Sequence, residues 1–251
     1  MLHLHQFLLI AHIIAGSIAL LLFWAPMLAK KGSPLHRKSG RYYAYLLYGV
    51  SLSGVLMSAM VLAAPLYFKA KYLTPGADPA VVAANVRLMA SFLGLLSLLS
   101  WVSIRQAMLV LQLPKNAAVL KAPLHLLAVG SLLVAGVYVF WLGVTKQQSL
   151  LIVFSVVAVL NAVGTLRFIV KTAPGRMEIL RQHISNMLGS AIAIYTAFSA
   201  FGGRGLLELS TTGQLISWLA PSVIGIAFIL WYNRMYKDKT APVNPAVQHL
   251  V

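Results

Sequence analysis

Histidine is the residue on which chemistry in this chain turns. None of the 251 residues is cysteine and only four are acidic. Without thiols, disulfides, thiolate metal sites, iron–sulfur clusters and cysteine nucleophiles are excluded. Three of the seven histidines, His36, His125 and His183, fall at one membrane face once a topology is drawn. Imidazoles from two helices at matched depth can ligate a haem iron, and three can hold a zinc or copper ion. The sequence leaves the cofactor unknown; haem b or a transition metal is what such histidines could hold. His125 and His183 are the leading ligands and His36 the third. On the His183 helix, Asn186 and Ser190 share one face at i, i+3 and i+7. Asn161 and Thr165 (i, i+4) mark the interior side of the preceding helix. Arg167 lies near its inner end, where it would steady an anionic edge such as a propionate or a phosphate. A plainer role is open to the same residues. Histidines at helix ends are often interfacial, with one ring nitrogen bonded and the other wet. At the opposite face His5 and His12, a heptad apart, are weaker metal candidates. His12 is equally read as packing beside Gly16.

Other chemistries lack their residues. The acids Asp78, Glu178, Glu208 and Asp238 all fall in connectors or the tail. No membrane-buried carboxylate is available for proton or sodium coupling, which disfavours a cation-coupled pump. There is no Gly-rich phosphate loop and no HExxH motif. A serine triad would lack a buried acid.

The elements that must position these residues follow from composition. Hydrophobic residues make up 60% of the chain and charged ones 10%, with a mean hydropathy of +0.84. That balance belongs to a polytopic membrane protein. About 20 apolar residues cross a bilayer as a helix. Such runs occupy 5–29, 42–68, 86–112, 123–144, 149–170, 182–202 and 213–232. They are continuous and Leu/Ala-rich, without the period-two alternation of strands. The predicted fold is an all-α bundle of seven transmembrane helices in one domain, with residues 234–251 as a mobile cytoplasmic tail. Alternate connectors carry fifteen Lys and Arg against five. The positive-inside rule then puts the N-terminus outside and the C-terminus inside. The net charge of +16 sits beside apolar spans. Its expected partner is a bilayer with anionic head groups, not nucleic acid. Gly189, Ala193 and Ala197 form a small-residue stripe suited to a close helix contact, within an oligomer or with a membrane partner.

Three segments carry a resemblance. His12-Ile-Ile-Ala-Gly16 is followed by Leu35-His36-Arg37-Lys-Ser-Gly40-Arg-Tyr42, and later by His183-Ile-Ser-Asn-Met187. Together they resemble a family of predicted bacterial inner-membrane proteins of unknown function. The likeness covers the first ~45 residues well and the sixth span loosely. Asn186 departs from it, standing where an aromatic is expected. The resemblance implies a multi-helix protein of the bacterial inner membrane and implies no activity.

Three functions are compatible with these residues. One is a redox protein holding haem or a metal between the fourth and sixth spans. The second is a non-enzymatic carrier or lipid-binding protein whose path is lined by Asn161, Thr165, Asn186 and Ser190. The third is an assembly partner docking through the Gly189 stripe.

Overall fold

A computed structural model describes residues 1–171, 173–199 and 210–236. Helices are α1 (Leu2–Leu22), α2 (Trp24–Leu28), α3 (Pro34–Ala63), α4 (Pro65–Phe68), α5 (Pro79–Leu109), α6 (Pro123–Thr145), α7 (Ser149–Ile169), α8 (Arg176–Ala197) and α9 (Thr211–Met235). No strand occurs among the described residues.

Local chemistry sets the helix boundaries. Ser33 caps α3, its hydroxyl accepting from the His36 N–H at 3.2 Å, with Pro34 as the first helical residue. Asp78 caps α5 in the same way, accepting from Ala80 N–H at 2.8 Å ahead of Pro79. Proline belongs at the first position, where its missing N–H has no intrahelical partner to lose. These caps start the second and third spans earlier than hydropathy indicates, at Pro34 instead of 42 and Pro79 instead of 86. The extra turns of α3 are basic, with Arg37, Lys38 and Arg41, whereas those of α5 are small or apolar up to Asn85. Pro65 ends α3 early, and a break at Phe23 separates α1 from α2, where Pro26 cannot bond back to Leu22.

Among the described residues six helical stretches are long and apolar enough to cross a membrane: Leu2–Leu28, Pro34–Ala63, Pro79–Gln112, Pro123–Thr145, Ser149–Ile169 and Ile216–Met235. Their outward faces are apolar, with Ile10, Ile14, Leu21, Leu127, Val134 and Leu160 all exposed. So many large apolar side chains exposed on the span helices are compatible with a lipid surround.

The sixth of the seven expected spans, α8, is not among those six. At about 33 Å it is long enough, but its first turns carry Arg176, Glu178, Arg181, Gln182, His183 and Asn186. The reason lies in its surroundings. From Met177 to Ala197 no residue of α8 is exposed, and α5, α9 and α1 pack around it. A sheathed helix meets protein instead of acyl chains and need not be apolar. The stripe of Gly189, Ala193 and Ala197 is used inside this sheath. Gly189 faces Ser103 of α5, Ala193 is 2% exposed, and Ala197 packs on the core shared by α5, α6 and α7. The stripe therefore seats neighbouring helices of the same chain.

Two cores hold the bundle. One joins α5, α6 and α7, with Phe92 and Phe154 meeting edge to face at 5.8 Å. The other joins α1, α3, α5 and α8 around Phe23, Tyr43 and Leu47. At one end of the bundle, Val110, Leu120, Phe168 and Ile169 pack together with Ile179. The α5–α6 and α7–α8 connections thus share that end. It is the end that carries most of the basic residues, and is called the basic end below. Arg204, Glu208, Lys237, Asp238 and Lys239, the end of the sixth expected span, and all but the first residues of the tail lie outside the described residues.

Candidate functional site

Polar side chains inside the bundle gather toward the basic end, around the last three turns of α5. Ser103 and Gln106 lie one turn apart on α5, both 0% exposed. Gln106 Oε1 accepts from Nε2 of His125 on α6 at 2.9 Å, and His125 is also 0% exposed. Asn161 of α7 donates through Nδ2 to Ser103 Oγ at 3.4 Å. Each of the three helices thus sends a polar side chain into one seam, and Thr165, 3% exposed, lies a turn from Asn161.

The seam is not self-sufficient. Gln106 Nε2, His125 Nδ1, Asn161 Oδ1 and Arg105 Nε are buried without a hydrogen-bond partner. A buried polar atom left unpaired costs about 1–3 kcal/mol. Such atoms gathered at one place call for water or a ligand. Donors and acceptors are both present, and none of the four acids in the sequence falls on α5, α6 or α7.

His183 and His36 lie elsewhere. His183 Nδ1 donates to the carbonyl of Ala107 at 2.9 Å. Ala107 is in the last turn of α5, where carbonyls have lost their i+4 partners. His36 Nδ1 donates to the carbonyl of Pro26 in α2 at 2.9 Å, and Lys31 Nζ reaches the same oxygen at 3.2 Å. Each imidazole therefore caps a helix C-terminus, a role that accounts for its position without any cofactor.

Of the expected ligands, the structure sets His125 apart from His183. α6 and α8 both pack on α5 and not extensively on each other. His125 spends its Nε2 on Gln106, inside a fully buried contact. Haem between His125 and His183 does not fit this arrangement, because α5 stands between the two helices. No group of three or more His, Asp or Glu positioned for a metal occurs among the described residues. Arg167 is exposed at the end of α7 and does not reach the seam. Asn186 is 5% exposed and bonds within α8, its Nδ2 donating to Gln182 O at 2.9 Å and Oε1 at 3.1 Å.

The opposite-face pair is also split. The His5 ring stacks on Phe68 at 5.1 Å, and His12 Nδ1 bonds Ser53 Oγ of α3 at 2.9 Å. Ser53 spends its own proton on the carbonyls of Gly49 and Val50, so His12 is the donor. Gly16 meets only a Val50 methyl at 4.0 Å from an added Cβ, so Ser53, not the glycine, fixes His12.

Sequence reasoning missed Gln106 and Tyr43. Ser100, Ser103 and Gln106 repeat every three residues in an otherwise apolar helix, a polar stripe that could have exposed the glutamine. Tyr43 gives no such signal, because tyrosine near a span end reads as an interfacial anchor. It is instead 1% exposed, with its hydroxyl 3.2 Å from Ser190 Oγ.

Scans against protein-family models, curated proteins and solved structures find no match to this chain.

Proposed function

We propose that this chain is a multi-pass protein of the bacterial inner membrane, of the family its opening motifs resemble. α8 is the sixth of seven crossings, the N-terminus is outside and the basic end faces the cytoplasm. It works as a non-enzymatic binding or carrier protein. The α5–α6–α7 seam takes the uncharged or anionic polar head of a membrane-soluble molecule. One observation carries this: Gln106, His125 and Asn161, on three helices, each keep a buried atom without a partner at the same seam. The absence of a carboxylate from those helices argues against a cationic guest. Electron transfer through paired haem ligands has no comparable support once His125 and His183 are separated.

The test is ligand-dependent stabilisation of the purified protein. Phospholipids differing in head group, and isoprenoid quinones, are added singly while thermal unfolding is followed. At least one class should raise the midpoint, since a ligand at 100 times its Kd adds about 2.7 kcal/mol. That rise should vanish in Gln106→Leu and in Asn161→Leu, and survive in His12→Ala. A rise of equal size in all variants would place binding elsewhere and refute the seam.

A further inference from the structure

α3 and α8 both begin at the basic end and run in the same direction. Between them Tyr43 Oη donates to Ser190 Oγ at 3.2 Å, the Ser190 proton going to Met187 O at 2.7 Å. That contact fixes the register of the two helices. His36 lies seven residues before Tyr43, and His183 seven before Ser190. A heptad is nearly two full turns, so each histidine returns to the face of its partnered residue, one step nearer the basic end. The two imidazoles therefore sit at one level on facing sides of α3 and α8.

Their tautomers follow from their partners. Carbonyl oxygens only accept, so Nδ1 of His36, at Pro26 O, and Nδ1 of His183, at Ala107 O, must each carry the proton. In the neutral rings both Nε2 atoms are then bare lone pairs. This is the arrangement in which a backbone carbonyl orients a metal-binding histidine. A third lone pair lies one turn along α8. Asn186 donates its Nδ2 to Gln182, which fixes the amide, and its Oδ1 is buried without a partner at 5% exposure.

We propose that His36 Nε2, His183 Nε2 and Asn186 Oδ1 form a site for a single borderline divalent cation, Zn²⁺ or Cu²⁺, at the cytoplasmic end of α3 and α8. Two imidazoles and an amide oxygen suit these ions, and water completes a tetrahedral or tetragonal set. The site is separate from the α5–α6–α7 seam and does not depend on it. Arg37, Lys38 and Arg41 on α3 are exposed and oppose the ion by charge, so the site must rely on neutral, oriented ligands.

The experiment uses the full-length protein in detergent after chelator treatment, in a His3→Ala background because exposed His3 can capture metal alone. Zn²⁺ is titrated by calorimetry and Cu²⁺ by electron paramagnetic resonance. The expected result is one ion per chain, with nitrogen hyperfine structure from two imidazoles. His36→Ala and His183→Gln should each weaken binding at least tenfold, and His125→Ala should not. The His183→Gln amide can still donate to Ala107, which protects the fold, and a thermal melt confirms this for both variants. No binding, a one-nitrogen spectrum, or affinity unchanged in both folded variants would overturn the site.

Discussion

Consider replacing Gln106 with leucine. The wild-type contact is a 2.9 Å hydrogen bond between two side chains that are each 0% exposed. Gln106→Leu leaves the His125 Nε2–H with nothing to bond, and stranding a buried donor costs about 1–3 kcal/mol. The loss of the unpaired Gln106 Nε2 returns part of that, so a net destabilisation of about 1 kcal/mol is expected. His125→Leu is the mirror case, stranding Gln106 Oε1 at a similar cost. The double variant strands neither group and should lie within about 0.5 kcal/mol of wild type, or above it. The coupling between the two sites is then about 1–2 kcal/mol, near the largest found for hydrogen bonds between membrane helices. Unfolding in mixed micelles with increasing SDS measures it, and the five tryptophans report through fluorescence. If the single effects add to within about 0.3 kcal/mol, the two side chains are not bonded. The seam argument would then fail with them.

Other outcomes follow from the same geometry. Gly143→Ala should destabilise by about 1–3 kcal/mol, because its Cβ would lie 2.9 Å from the Ile152 backbone nitrogen. Gly189→Ala should be near neutral, its Cβ meeting Ser103 Oγ at an ordinary 3.6 Å; thermal melts of the two variants make the comparison. Glu178 is held below the usual carboxylate range by hydrogen bonds from Lys171 and then from the Gly175 N–H. Its contribution is present above the unfolded carboxylate pKa and is lost as pH falls through the folded one. Glu178→Gln should thus cost about 0.2–1 kcal/mol at pH 7 and nothing at pH 2, read from unfolding midpoints at both pH values. Because the chain has no cysteine, single cysteines report topology directly. Ala77→Cys should react with an impermeant maleimide on intact cells, and Asn116→Cys only after permeabilisation. The reverse pattern would invert the orientation.

The apolar runs alone determined that the described residues are all-helical, with helices long and apolar enough to cross a membrane. Hydropathy is a sum over local residues, and lipid asks nothing more of a helix than that sum. Proline and caps were legible too, at Ser33-Pro34 and Asp78-Pro79, although hydropathy windows overlook them. Where hydropathy ceases to be a guide is α8. Its Gln182, His183 and Asn186 are tolerated because α1, α5 and α9 surround it, and no window over one helix can register its neighbours.

The fate of the histidines was decided by tertiary structure. Depth along a helix is readable from sequence, and on that measure His36, His125 and His183 are equivalent. Azimuth is not, because it depends on which helix packs against which face. α5 divides His125 from His183, giving the first to Gln106 and the second to the carbonyl of Ala107. The Tyr43–Ser190 bond sets the register of α3 against α8 across 147 residues of chain. A linear sequence states each residue's own spacing. Only the packed bundle settles which lone pairs meet.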